Sequence, residues 1–316
     1  MSESDGSNNN SSSSILELAG LSKRFGATRV IDDISLTVPR GSVFGFIGVN
    51  GAGKTTTMKM VLGLLRPDAG QITICGERVR FGQTPTNRHV GYLPDVPEFY
   101  PWMRPKEYLR FCGQIVGLPE ATIRSRTGEL LEMVGLRKVN RKIGGLSRGM
   151  KQRLGVAQAL INEPQLLICD EPTSALDPIG RKEVLDILRQ ISATTTVVFS
   201  THILSDVERI CDRAAVLNDG KIALEGTLAE LKAQHKTDAI RIEFANAADC
   251  ARFCEAAGAE LLENAQRSAT ELTLHVADVA SAQRSALRLL ESADILPVCF
   301  ELVEPGIENL FLEAVQ

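Results

Sequence analysis

Three observations predict an α/β fold built on a parallel sheet. A run with almost no polar residues, "SVFGFIGV" at 42–49, suits a strand buried on both faces. It leads directly into the glycine-rich "GVNGAGKTT", and the segment after that carries apolar residues at helical spacing. The same unit of strand, polar end and helix recurs around "LLICDEP", and again at "VVFSTH" followed by "LSDVERICDR". Repeated units of this kind gather their polar strand ends at one edge of the sheet.

Composition limits what surrounds that sheet. At 316 residues the chain is long for one core and predicts two domains, and 44% apolar with 23% charged residues is ordinary for a soluble globular protein. A net charge of -4 gives no general basic field, so no nucleic-acid partner is expected. Seven scattered cysteines fit reduced thiols better than a disulfide frame. Cys250 and Cys254 stand one helical turn apart with no second ligand pair, which favours packing over metal binding. No stretch approaches the roughly 18 apolar residues of a membrane helix. The opening "MSESDGSNNNSSSS" lacks the regions of a signal peptide and reads as a disordered tail over residues 1–14.

From Ile15 the apolar runs "ILELAGL", "IDDISLTV" and "SVFGFIGV" predict strands. The loop that follows fills every fixed position of G-x-x-x-x-G-K-[ST] between Gly48 and Thr55. Its backbone at Gly48, Val49, Asn50, Gly51, Ala52 and Gly53 would wrap phosphate oxygens, with Thr56 beside it. Lys54 would reach the outer phosphates, and the Thr55 hydroxyl would ligate magnesium. "TTTMKMVLGLLRP" reads as a helix stopped by Pro67.

A second apolar strand at 165–169 carries Asp170 and Glu171 at its carboxyl end. Asp170 is placed to hold magnesium through its water shell, and Glu171 to orient and deprotonate an attacking water. A third strand ends at His202, from which an imidazole would reach a terminal phosphate and that water. A further helix start lies at "LSRGMKQR", residues 146–153, where free backbone N–H groups and three basic side chains make an anion site about ninety residues after the first loop.

Taken in order, Phe25, "GVNGAGKTT", "GYLPDVPEFYPW", "LSRGMKQR", "LLICDEP", "SALD" and "STH" resemble the ATPase subunit of ATP-binding cassette (ABC) transporters, over residues 15 to about 230. The resemblance implies a P-loop NTPase fold with a helical subdomain at about 95–160, inside an ATPase domain spanning 15–236. It implies a magnesium-dependent ATP hydrolase that pairs head to tail with a second copy. Ser147 and Gly149 would cap the terminal phosphate of ATP held by the other copy, and Asp177 would reach across toward the partner's loop. Phe25 would stack on adenine; the alternative is a core aromatic. The implied partner is an integral membrane permease, with this chain cytoplasmic and peripheral on the inner face of the membrane, and the permease selects the substrate.

Two positions depart from the common family pattern. Asp95 occupies a place usually held by Gln, whose oxygen contacts magnesium or the water; a carboxylate also ligates a hard cation, but it is shorter and charged. "LSRGM" has Arg148 and Met150 where Gly and Gln are common, a variant resembling the bacterial exporter-type (ABC-2) branch. Tyr100, Trp102 and Tyr108 stand in a region that receives a coupling helix in related transporters, or else pack the subdomain interior.

Beyond residue 237, "IRIEF", a helix near 248–257, "ELLEN", "ELTLHV", a helix near 280–291 and "VCFELV" predict a ferredoxin-like α+β domain over 237–316. It resembles the accessory carboxyl-terminal domain of exporter ATPases, with dimer contacts or regulation as its expected role. His275 falls on the polar face of an alternating strand and reads as exposed. The amphipathic "GIENLFLEAV" closes the chain. The competing function is a soluble ATPase of the same superfamily acting on DNA or the ribosome. No sustained heptads separate the two phosphate motifs and only one set of motifs is present, which argues against it. A small-molecule kinase leaves "LSRGM" and "SALD" unexplained.

Overall fold

The computed structural model describes residues 14–303, apart from 84, 235–237, 263–264 and 277, together with residue 311. The predicted tail at 1–13 and most of "GIENLFLEAV" lie outside the described residues. Two compact units divide between Leu228 and Ala229.

The first unit holds two sheets. Strands β1 (Ser14–Phe25), β2 (Thr28–Pro39), β4 (Ala69–Ile74) and β5 (Glu77–Arg78) form an antiparallel sheet in the order β2-β1-β4-β5. Ser14, assigned to the tail by sequence, is buried in β1. The second sheet comprises β3 (Val43–Ile47), β6 (Val90–Leu93), β7 (Leu166–Asp170), β8 (Thr196–Thr201), β9 (Arg213–Asn218) and β10 (Lys221–Thr227). Its order is β10-β9-β3-β8-β7-β6, parallel except at the β9–β10 edge. Every residue of β3, β7 and β8 is buried, which is why their apolar residues run consecutively instead of alternating, with polar residues only at the ends of β7 and β8. The sheets meet around helix α1 (Lys54–Val61), whose Met58, Met60 and Val61 pack with Ile34 and Ile72 of one and Phe44 and Val198 of the other. Truncating one such side chain to Ala costs about 2–5 kcal/mol.

Helix α1 ends earlier than Pro67 requires. Leu62 caps it and Gly63 follows at φ 68°, the left-handed turn that glycine adopts without a Cβ clash, so the chain has left the helix before the proline. Between β6 and β7 lie α2 (Pro105–Ile115), α3 (Glu120–Met133) and α4 (Arg148–Ala159), the predicted helical segment. Tyr108 of α2 is buried there and donates its hydroxyl hydrogen to Gln158 Oε1 of α4 at 2.8 Å, so it is an interior residue, whereas Tyr100 and Trp102 are exposed. Helices α5 (Pro178–Ile191) and α6 (Leu204–Ile210) follow β7 and β8.

The second unit takes up α7 (Leu228–Gln234) from Ala229 onward, and continues with β11 (Asp238–Phe244), α8 (Ala247–Ala256), α9 (Ala259–Leu262), β12 (Ala265–Arg267), β13 (Glu271–Val276), α10 (Val279–Ser292) and β14 (Pro297–Val303). The antiparallel order β12-β13-β11-β14 is the ferredoxin-like arrangement. "ELLEN" is corrected: its described residues form the end of α9, and the strand starts at Ala265. Four apolar-rich residues fit a helical turn as well as a strand, and period alone does not separate them. Cys250 is buried in this core with Cys254 packed against it, and among the described residues no cluster of metal-ligating side chains occurs. His275 is corrected too. It is half-buried, with Nε2 shielded from solvent and no hydrogen-bond partner.

Candidate functional site

Strand β8 lies between β3 and β7, so the chain segments leaving their carboxyl ends are neighbours. This adjacency brings three predicted motifs together. The register sets Ile47 opposite Thr201 and Asp170 opposite Ser200, and Gly48 N donates to Thr201 O at 3.3 Å.

The loop's glycines are required by space as well as conformation. At Gly48 a Cβ would come within 2.7 Å of Leu217 O, and at Gly53, with φ 107°, within 2.5 Å of Ile31 Cδ1. Gly53 is the residue from which α1 departs, so the first N–H groups of the helix open toward the loop. Val49, Asn50, Gly51 and Thr55 are exposed, Thr56 is half-buried, and Ala52 is buried. Lys54 is 6% exposed; its Nζ donates to Gly48 O at 2.7 Å and Val49 O at 3.2 Å, and lies 3.1 Å from Glu171 Oε1.

Glu171 therefore joins two motifs. Its second oxygen, Oε2, accepts from His202 Nδ1 at 2.9 Å. The Glu171 backbone stands at φ 46°, in the left-handed region, and its N–H is held by Ser200 O at 3.2 Å and Ser200 Oγ at 3.0 Å. Ser200 also donates its hydroxyl hydrogen to Asp170 Oδ1 at 2.6 Å, fixing a carboxylate that is 3% exposed. Sequence reasoning gave Ser200 no role, although a hydroxyl in the apolar run "VVFST" was the available signal.

Asp95 lies close enough to Asp170 and Glu171 to feel their charge. Burial, and then those two carboxylates, hold its carboxyl above the usual range, with Arg148 and a hydrogen bond from the Ser174 side chain opposing. Its Oδ1 is shielded from solvent without a hydrogen-bond partner. A buried, unpartnered carboxylate oxygen beside a second carboxylate is a donor set that suits a hard divalent cation.

Other predicted residues lie elsewhere. Ser147 caps α4, its Oγ accepting from Met150 N at 3.2 Å, and Asp177 caps α5, its Oδ1 accepting from Gly180 N at 3.3 Å. A Cβ at Gly149 would rest 3.8 Å from Gly180 Cα, so the two helix starts adjoin and Ser147, Gly149 and Asp177 line one shallow depression. Among the described residues, no hydrogen bond joins Ser147 or Asp177 to the loop at 48–55. Phe25 sits at the β1–β2 turn, 49% exposed, with Lys23 Nζ 5.4 Å from its ring centroid, which is not the setting of a core aromatic.

The model for the ABC transporter family matches residues 31–174, and that for the ATP-binding protein DrrA1-3-like, C-terminal domain matches residues 226–315. An uncharacterized ABC transporter ATP-binding protein, YxlF of Bacillus subtilis (strain 168), is 44% identical over 225 residues, covering 71% of this chain and 75% of that protein. Bacitracin transport ATP-binding protein BcrA of Bacillus licheniformis is 38% identical, covering 71% and 73%. Nod factor export ATP-binding protein I of Ralstonia nicotianae is 41% identical, covering 70% and 69%. Among solved structures, an ATP-binding subunit of an ABC transporter aligns with TM-score 0.63 at 36% identity, covering 70% of this chain and 92% of that one. The cbiO1 protein from Clostridium perfringens, part of the ABC transporter complex cbiONQ, aligns with TM-score 0.66 at 27% identity over the same shares. With the phosphate loop, the acidic strand end and the carboxyl-terminal domain all matched to such proteins, the chain belongs to the ATP-binding, ATP-hydrolysing subunits of ABC transporters.

Proposed function

We propose that two copies of this chain close head to tail around two ATP molecules and that hydrolysis drives export through a separate membrane permease. The observation that carries the reading is the joining of Lys54, Glu171 and His202 at one sheet edge, apart from the exposed face that holds Ser147, Gly149 and Asp177. One copy supplies the loop and the water-activating groups. The other supplies the Ser147 helix start, which favours anions. Each ATP then contacts both copies, so its cleavage weakens the closed pair. Phe25, exposed at a turn, offers a ring face for adenine.

Lys54 has three N–H donors, and phosphate oxygens compete for them with Gly48, Val49 and Glu171. Glu171 then takes a proton from a water attacking the terminal phosphorus, while the bond from phosphorus to the bridging oxygen breaks and ADP departs with the electron pair. His202, gripped through Nδ1, turns Nε2 toward the terminal phosphate. Thr55, Asp170 and Asp95 would hold magnesium, which supplies charge neutralisation on the phosphates when bound. No helix among the described residues is long and apolar enough to cross a membrane. Like a transport ATP-binding protein, the chain docks on its permease as a peripheral cytoplasmic subunit. The relatives found are transport ATP-binding proteins, which does not favour a role on DNA or the ribosome.

The decisive variant is Glu171→Gln. It should bind ATP, elute as a dimer in the presence of ATP and lose at least about a hundredfold in phosphate release. Parental turnover in this variant would refute the general-base role. Gentle solubilisation of membranes from cells expressing the tagged chain should recover a polytopic membrane protein in equal amount; ribosomes or DNA-bound proteins in its place would refute the transport role.

A further inference from the structure

Asp206 is the most deeply buried acidic side chain described, at 1% exposure, and nothing above gives it a task. A carboxylate out of water is costly unless its oxygens are matched. Here Thr173 donates its hydroxyl hydrogen to Oδ2 at 2.6 Å, and Arg181 donates Nε–H to Oδ1. Arg181 also donates through Nη2 to Ser205 Oγ at 2.6 Å, so its guanidinium clamps two consecutive residues of α6.

The placement of those partners carries the inference. Asp206 stands four residues after His202, on the helix that β8 feeds. Thr173 stands two residues after Glu171, and Arg181 stands four residues after Asp177, on the helix that Asp177 caps. The Glu171–His202 contact and the Thr173–Asp206 contact therefore close a ring through two short pieces of backbone. The first piece is itself turned back by Ser174 N donating to Glu171 O at 3.0 Å, and the second by Ile203 N donating to Thr201 Oγ1 at 2.9 Å. A stabilising ion pair has no need to lie here, because it would serve the fold equally well elsewhere in the unit. A pair in this place limits how far the end of β7 slides past the end of β8.

We propose that Asp206 is a positioning residue for hydrolysis: through Thr173 it holds Glu171 in register with His202, and through Arg181 it sets the direction in which Asp177 leaves its own copy. The inference rests on the hydrolytic roles given above to Glu171 and His202. Displacing a reacting group by an ångström costs up to about a hundredfold in rate, whereas most of the nucleotide affinity comes from the loop at 48–55 and from Phe25, which Asp206 does not touch.

Steady-state ATP hydrolysis by the full chain tests it, with Asp206→Asn and Thr173→Val, both isosteric, each alone and combined with His202→Ala. Asp206→Asn should lower kcat by roughly tenfold while KM for ATP and the affinity for a fluorescent ATP analogue stay within about twofold. In the His202→Ala background the same change should cost less than about twofold, because the contact it protects is already gone. Multiplying penalties in the double variants, or a lowered melting temperature with unchanged kcat, would overturn the positioning role. If Asp206→Asn fails to fold, Thr173→Val breaks the same link from the other side and is judged by the same two criteria. The parent and Glu171→Gln are measured in the same series. An inactive parent, or an active Glu171→Gln, strikes the hydrolytic assignment, whereas a normal pair of controls with an indifferent Asp206→Asn strikes only the role of Asp206.

Discussion

Lys54 Nζ lies 3.1 Å from Glu171 Oε1, an ion pair with both side chains largely out of solvent that ties the phosphate loop to the end of β7. Removing one member of a buried pair strands the other. Lys54→Met should abolish detectable nucleotide binding and also destabilise the fold by about 3 kcal/mol, less whatever His202 recovers for Glu171. Calorimetric melting checks this, and the double variant Lys54→Met with Glu171→Gln should regain most of the lost stability. A double variant as unstable as the single one would deny that the pair is the cause.

Exposure of Phe25 at the β1–β2 turn makes a separable prediction. Stacking on a base is worth about 1–3 kcal/mol. Phe25→Ala should raise KM for ATP by about tenfold or more without altering kcat, Phe25→Trp should keep parental affinity, and GTP should be affected as ATP is, because every base offers a π-face. Equal KM values for Phe25→Ala and the parent would remove Phe25 from the site.

Asp95 is held above the usual carboxylate range by burial and by the charges of Asp170 and Glu171. Asp95→Asn keeps the shape and removes the charge. Its nucleotide-free form should melt a few degrees higher at neutral pH, while half-maximal hydrolysis should require several-fold more magnesium. An unchanged magnesium requirement would exclude Asp95 from the metal site.

Glu225 in β10 gives the pH dependence. Burial pushes its carboxyl above the ordinary value near 4.5, with Arg213 and a hydrogen bond from the Thr37 backbone opposing. A raised folded value means that the native state binds more protons than the unfolded chain, so stability falls as pH rises through that window. Parent and Glu225→Gln should melt together below the ordinary carboxylate value and separate as pH rises above it, with the variant higher. Melting curves that stay parallel across the range would contradict the sign.

The parts legible in the sequence were those that one stretch of chain decides alone. "VFGFI" and "LLIC" are unbroken apolar runs because β3 and β7 are covered on both faces, and the phosphate loop is fixed by local glycine geometry at Gly48 and Gly53. What depends on contact between distant segments was not legible. Ser200 matters because the β7–β8 register sets it opposite Asp170, and no pattern within β8 reveals that register. Tyr108 turned inward because α4 offers Gln158 for its hydroxyl. The end of α1 at Gly63 is readable in principle, since a left-handed glycine stops a helix before a later proline does.

The left-handed turn at Glu171 has a consequence for how this position changes under selection. A residue with a Cβ at φ 46° forgoes about 1 kcal/mol or more relative to glycine, and the hydrogen bonds from its N–H to Ser200 keep it there. Glycine would adopt that turn at little conformational cost. Glycine at 171 would relieve the turn yet strand the buried Lys54, so a screen for heat tolerance alone would reach it only after Lys54 has been replaced as well, whereas a screen for transport would keep the acid in a posture it resists.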